Sequence, residues 1–204
     1  MNFKSIIKNI INIFNFFRFM LHIVILITSS NKKVIFADIK RWSKIKNRDS
    51  KYHILTNFLY LLKQYKEYRT LFYYRIKPYG KLLSIWARPQ VNLFLKSNDI
   101  GSGLFIQHGF STTISAKKIG KNCWINQQVT IGYSGKHRNA HPTIGNNVKI
   151  TAGAKVIGDI IIGDNCIIGA NSVVVKDVPD NCTVVGIPAY IIRQNGTKVR
   201  KSLK

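Results

Sequence analysis

At 204 residues and 46% hydrophobic, the chain is long enough to bury one or two cores, and its 32 Lys and Arg against 8 Asp and Glu give a formal charge of +24. That sign points to nucleic acid, a membrane surface or an anionic substrate, but there is no basic helix, aromatic stacking array or zinc-finger spacing, so nucleic acid is set aside. Three cysteines, an odd number with no CxxC pair, argue against a disulfide framework and fit a reducing compartment.

The excess charge is spread out: residues 1–99 carry 19 basic and 4 acidic side chains, and residues 100–204 carry 13 and 4. Ile, Lys and Asn are abundant throughout, as a biased base composition would produce. Residues 3–27, FKSIIKNIINIFNFFRFMLHIVILI, predict an amphipathic helix. Lys4, Lys8, Asn12, Asn15, Arg18 and His22 recur at three- and four-residue steps and so share one polar stripe. Two readings of the wide apolar remainder stand: packing against this protein or a second copy, or peripheral contact with a membrane, apolar side down. Asn12, Asn15, Arg18 and His22 interrupt the best window of about 20 residues, which argues against a membrane span. No small-residue cleavage site closes a secretory signal.

Residues 50–77 predict a second helical stretch, with Leu55, Leu59 and Leu62 followed by YKEYRTLFYYRI, whose aromatics are read as packing. Pro78, Gly80 and Pro89 mark a connector. The composition then turns to Gly, Ile, Val and Asn. The expected organisation is an α-helical N-terminal region at 1–97, a repeat domain at 98–193 and a basic C-terminal tail at 194–204.

Within the repeat domain an aliphatic residue returns every sixth position: Ile144, Ile150, Val156, Ile162, Ile168 and Val174. Neither a helix nor an ordinary strand has that period, whereas a parallel β-helix does, with three short strands per triangular coil and each aliphatic residue stacked on the coil below. The fourth position after each is small or medium-sized: Val148, Ala154, Ile160, Cys166, Ser172 and Val178. Cys166 falls in this series and Cys123 in the same position after Ile119, in the earlier run Ile119, Ile125 and Ile131, so core packing explains them better than redox or metal chemistry. The register slips twice, from Ile106 to Ile119 and from Ile131 to Ile144, each two hexads plus one residue. The second slip, GYSGKHRNAHPT, is polar and glycine-rich and predicts a loop thrown out from the coil, where function concentrates on rigid scaffolds. Three of the five histidines, His108, His137 and His141, mark these interruptions.

The text IGSGLFIQHG, then INQQVTIGYSGKHRNAHPTIGNNVKITAGAKVIGDIIIGDNCIIGANSVV, closing with VPDNCTVVGIPAYII, resembles the hexapeptide-repeat acyltransferases, serine acetyltransferase branch. The resemblance covers roughly residues 98–193 and implies a mainly β fold, a left-handed parallel β-helix. It implies acetyl-coenzyme A as co-substrate, no metal, and a homotrimer with active sites between subunits. By the same resemblance His108 is the general base, His141 helps hold the acceptor, and Gly132, Ala152, Lys155 and Ala170 line the coenzyme groove. A histidine near neutral pKa suits removal of the hydroxyl proton during attack, and no GxSxG nucleophile motif suggests an acyl-enzyme.

Two positions depart from that family. Serine acetyltransferases typically carry Asp before the catalytic His and Arg before the second His, where this chain has Gln107 and Ala140. Without those charges the ammonium and carboxylate of serine lack partners. The chain is therefore expected to O-acetylate a sugar or glycan in surface polysaccharide biosynthesis, with Gln107 and Asn139 contacting the acceptor, at the cytoplasmic side of the membrane. The alternatives are a serine O-acetyltransferase of cysteine synthesis, a zinc enzyme of the γ-carbonic anhydrase type using His108, His137 and His141, and a non-catalytic scaffold.

Overall fold

A computed structural model describes residues 3–48, 52–135 and 140–203, and the chain forms two compact units, Met1–Pro89 and Gln90–Lys204. The first is helical: α1 (Phe3–Thr28), α2 (Lys32–Ile45), α3 (Ile54–Gln64), α4 (Lys66–Arg75) and a single turn, α5 (Gly80–Leu83). In α2, Ile35, Ile39 and Trp42 are buried at steps of four and three, an apolar spacing not used in reading the sequence. They meet Phe58, Leu61 and Leu62 of α3 and Tyr68, Leu71 and Phe72 of α4, all under 2% exposed. Trp42 packs edge-on against Tyr68 at 5.3 Å, and Phe58 against Phe72 at 5.0 Å. Tyr65, with φ −119° and ψ 111°, divides the expected 50–77 stretch into α3 and α4.

α1 runs as expected, but the two described members of its stripe, Arg18 and His22, are half-buried and buried. Phe19, His22 and Leu26 are buried, while Phe17, Met20, Leu21, Val24 and Ile27 are exposed. Arg18 Nε donates to the Trp86 carbonyl at 2.6 Å, and His22 Nε2 lies 3.0 Å from the Tyr73 hydroxyl. The side chains of Lys4, Lys8, Asn12 and Asn15 lie outside the described set. Among the described residues no helix is long and apolar enough to cross a membrane.

Tyr73 donates its hydroxyl to the Ala87 carbonyl at 2.7 Å, so His22 presents Nε2–H to the Tyr73 oxygen and stays neutral. Burial, then the charges of Arg18 and Arg69, pull the His22 pKa down to about 4. The unfolded chain takes up this proton near pH 6.5 and the folded chain only near 4, so stability is full above 6.5 and falls as the pH drops between them. From pH 7.5 to 4.5 the loss from this one group is about 2.5 kcal/mol. All described helices lie in the first unit, so helical circular dichroism in urea reports it; a His22→Phe variant should lose most of that pH dependence. An unchanged dependence in the variant would assign it elsewhere.

The second unit is a left-handed parallel β-helix of about five turns. The first sheet is β1 (Leu93–Leu95), β4 (Thr112–Ile114), β7 (Thr130–Gly132), β10 (Lys155–Ile157) and β13 (Val173–Val174). The second is β2 (Asp99–Ile100), β5 (Lys118–Ile119), β8 (Thr143–Ile144) and β11 (Ile161–Ile162). The third is β3 (Phe105–Ile106), β6 (Trp124–Ile125), β9 (Lys149–Ile150), β12 (Ile167–Ile168) and β14 (Cys182–Gly186). It is extended antiparallel by β15 (Ala189–Gln194) and β16 (Thr197–Ser202), so much of the segment expected as a tail is a paired strand. The coil opens at Leu93, ahead of residue 98.

The six-residue column is the core: Ile144, Ile150, Val156, Ile162, Ile168 and Val174 are each at most 1% exposed. Cys123, Cys166 and Cys182 are buried free thiols, and burial pushes the Cys166 pKa up to about 11, a packing environment and not a reactive one. The abundant asparagines have a structural use. Asn122, Asn147, Asn165 and Asn181 stack at the turn between the second and third sheets with φ between 56° and 58°. Their amides form a ladder, Asn147 to Asn165 and Asn165 to Asn181 at 3.0 Å each. Beside them a Cβ on Gly120 would stand 2.4 Å from the Gly145 oxygen, a gap only glycine leaves.

Candidate active site

The chain visits the three sheets in turn, so each prism edge collects one class of connection. On the third-to-first edge the connections of four coils are Gln107–Ser111, 126–129, 151–154 and 169–172. The first has five residues where the others have four, and by pairing Ile106 to Ile114 is eight residues against six from Ile125 to Ile131; one of these two extra residues is given back between Ile114 and Ile119, which leaves the first slip of register. Ser111 (φ 51°) is left-handed like its counterparts Gln128, Gly153 and Asn171 in the regular corners, whereas left-handed backbone at His108 (φ 54°) is peculiar to this corner, and the His108 side chain is exposed. A non-glycine residue with positive φ is uncommon and here aims a histidine out of the coil.

Ala152 and Ala170 occupy the same edge in later coils, linked by the Asn171 N–H donating to the Ala152 carbonyl at 2.9 Å. Gly153 donates likewise to Gln127, and Gln128 to Phe110, at 3.0 Å each, so a main-chain ladder joins the coils along this edge from Phe110 to Asn171. Lys155 begins β10 and donates Nζ to the Gln128 carbonyl at 2.7 Å, tying two coils together. Gln107 accepts from Trp124 Nε1 at 3.2 Å; that indole packs edge-on against Phe105 at 4.6 Å and lies 5.0 Å under the Lys149 ammonium. The Gln107 carbonyl is thereby committed within the protein, and its NH2 remains a donor.

Gly132 and His141 belong to the first-to-second edge. The connection there from β7 to β8 has ten residues, against three from β4 to β5 and from β10 to β11, and this is the second slip. His141 Nδ1 lies 2.8 Å from the Ser115 carbonyl, which can only accept, so the proton sits on Nδ1 and Nε2 carries a lone pair. The Tyr133 ring backs His141 edge-on at 5.3 Å, a support that sequence reasoning missed because its only signal was an aromatic residue in a polar loop. Gly132 has nothing within 4 Å of a Cβ built on it, so the fold of this chain alone does not demand glycine there. His137 and Asn139 lie outside the described residues. One chain therefore separates the two placed histidines onto different edges, and among the described residues no three His, Cys, Asp or Glu side chains gather around a cation position.

Comparison with known proteins places these features in context. Residues 141–176 match the model of the bacterial transferase hexapeptide family (six repeats). The serine acetyltransferase of Staphylococcus aureus is 52% identical over 105 residues, 50% of this chain and 49% of that protein. The chain thus spans about half the length of the curated relatives it matches. The crystal structure of Neisseria gonorrhoeae serine acetyltransferase superposes with a TM-score of 0.62 at 31% identity, over 87% of this chain and 69% of that one. The Brucella abortus serine acetyltransferase in complex with coenzyme A gives 0.64 at 28%, over 85% and 72%.

These findings correct the expectation of a sugar or glycan acceptor in polysaccharide biosynthesis: the relatives and structural neighbours are serine acetyltransferases, which matches the alternative reading. The reasoning from Gln107 and Ala140 weighed only the two side chains next to the histidines. In a site assembled from more than one edge, other groups can meet the acceptor's charges, so two missing charges do not exclude serine.

Proposed function

We propose that this chain, which belongs to the hexapeptide-repeat acyltransferases on the serine acetyltransferase branch, transfers acetyl from acetyl-coenzyme A to the hydroxyl of L-serine. The observation that carries the reading is the division of the site over two prism edges. His108, Ala152 and Ala170 stand on one and Gly132 and His141 on another, so a complete site needs two chains, as in a trimer with its sites between subunits. The open space beside Gly132 supports a close approach there from outside the chain.

In this site His108 takes the proton from the serine hydroxyl as its oxygen attacks the thioester carbonyl. Main-chain N–H groups on this edge that do not already donate within the ladder stabilise the oxyanion. When the C–S bond breaks, His108 returns the proton to the departing thiolate, leaving O-acetylserine and coenzyme A. His141, with its tautomer held by the Ser115 carbonyl, offers Nε2 to the acceptor. The Gln107 NH2 is a donor for the acceptor carboxylate, and Asn139 is the loop residue nearest this role in sequence. A cytoplasmic enzyme fits the buried free thiols. The test is thiol release from acetyl-coenzyme A by purified protein. Serine-dependent release with O-acetylserine detected by mass spectrometry is expected, and no release at saturating serine would end this reading.

A further inference from the structure

In a water-facing amphipathic helix the polar stripe is outside and the apolar stripe inside. α1 inverts this over its second half: the described members of its polar stripe, Arg18 and His22, are held by Trp86 and Tyr73, and His22 is fully buried. What faces out is Phe17, Met20, Leu21, Val24 and Ile27, spaced three and four apart on one side and between 45% and 65% exposed.

This stripe does not end at the helix. Phe17 and Arg18 line one shallow cavity with Ile85 and Trp86, so α5 and the turn after it continue the apolar face, with Leu82 of α5 61% and Ile85 of the turn 76% exposed. Lys81 and Arg88, also exposed, flank that turn. Apolar side chains and a tryptophan bordered by lysine and arginine are the composition of a surface that enters the headgroup layer.

Charge decides between the occupants of such a face. Residues 1–89 carry 18 Lys and Arg against three Asp and Glu. A second copy would bring the same excess against itself, whereas an anionic lipid surface is complementary to it. We propose that the outward stripe of α1 and the α5 turn dock this protein on an anionic membrane surface, lying in the interface and not spanning it.

The test is co-sedimentation of the full chain with vesicles of phosphatidylcholine alone and of phosphatidylcholine with phosphatidylglycerol. Binding is expected only with phosphatidylglycerol, and it should weaken at least about tenfold in high salt, where the Debye length shrinks. A Phe17→Ser, Ile85→Ser variant and a Lys81→Glu, Arg88→Glu variant, each checked for wild-type circular dichroism, should each weaken it by a similar factor. Because the high-salt measurement uses the unmodified protein, a folding defect in either variant leaves a result. Equal recovery with and without anionic vesicles would overturn the proposal. So would a lipid-free assembly larger than a trimer that the apolar variant dissolves and vesicles do not compete for, since a second copy would then cover the face.

Discussion

Replacing His108 should lower acetyl transfer to serine by about two to four orders of magnitude, the usual contribution of a general base, with little change in the Michaelis constant for acetyl-coenzyme A. The choice of substitution matters because His108 sits at φ 54°. Asparagine tolerates left-handed backbone and has no basic nitrogen, so His108→Asn removes the base with little backbone cost, while alanine adds some strain. Both variants should keep wild-type circular dichroism and the same oligomeric state. The kinetic split separates a base from a merely structural residue: kcat should fall in His108→Asn while the Michaelis constants for serine and acetyl-coenzyme A change little. Retention of more than about a tenth of wild-type turnover would remove His108 from the role.

The largest expected effect on stability is in the helical unit. Arg75 Nε donates to Asp38 Oδ2 at 2.9 Å, and the two side chains are only 5% and 2% exposed. Asn31 also donates to the Arg75 carbonyl at 2.8 Å, so the pair stands where the connection after α1 meets α2 and the end of α4. Removing one partner of a buried pair leaves the other charge in a poor dielectric, so Arg75→Ala should cost about 3–5 kcal/mol. Removing both costs less: Asp38→Asn with Arg75→Met should recover part of the loss, because neither residue then brings a full charge into the interior. Urea unfolding followed by helical circular dichroism would measure both, and equal losses in the single and double variants would contradict the assignment. The pair also explains how an arginine and an aspartate are accommodated in a core otherwise built from Trp42, Tyr68 and Phe72.

What the sequence determined by itself was whatever is repeated along it. The aliphatic column from Ile144 to Val174 is buried as its period predicts, and both slips fall where the connections are longer, at Gln107–Ser111 and between β7 and β8. A β-helix stacks each coil on the one before it, so its contacts are nearly local and a period of six carries them. In the helical half the same approach found α1 but missed α2 and the break at Tyr65, although the spacing of Ile35, Ile39 and Trp42 was available.

Only the tertiary structure decided which way α1 faces. The two described members of its polar stripe are held within the unit because His22 meets Tyr73, 51 residues on, and Arg18 meets Trp86, 68 residues on, and no period links such partners. The site shows the same division. The positions of His108 and His141 could be read from motifs, but their assignment to different prism edges follows from coil closure, and His108's left-handed backbone lies in the corner that carries surplus residues. The acceptor was misread for a related physical reason: charge recognition depends on groups that three-dimensional assembly brings together, and adjacency along the chain samples only a few of them.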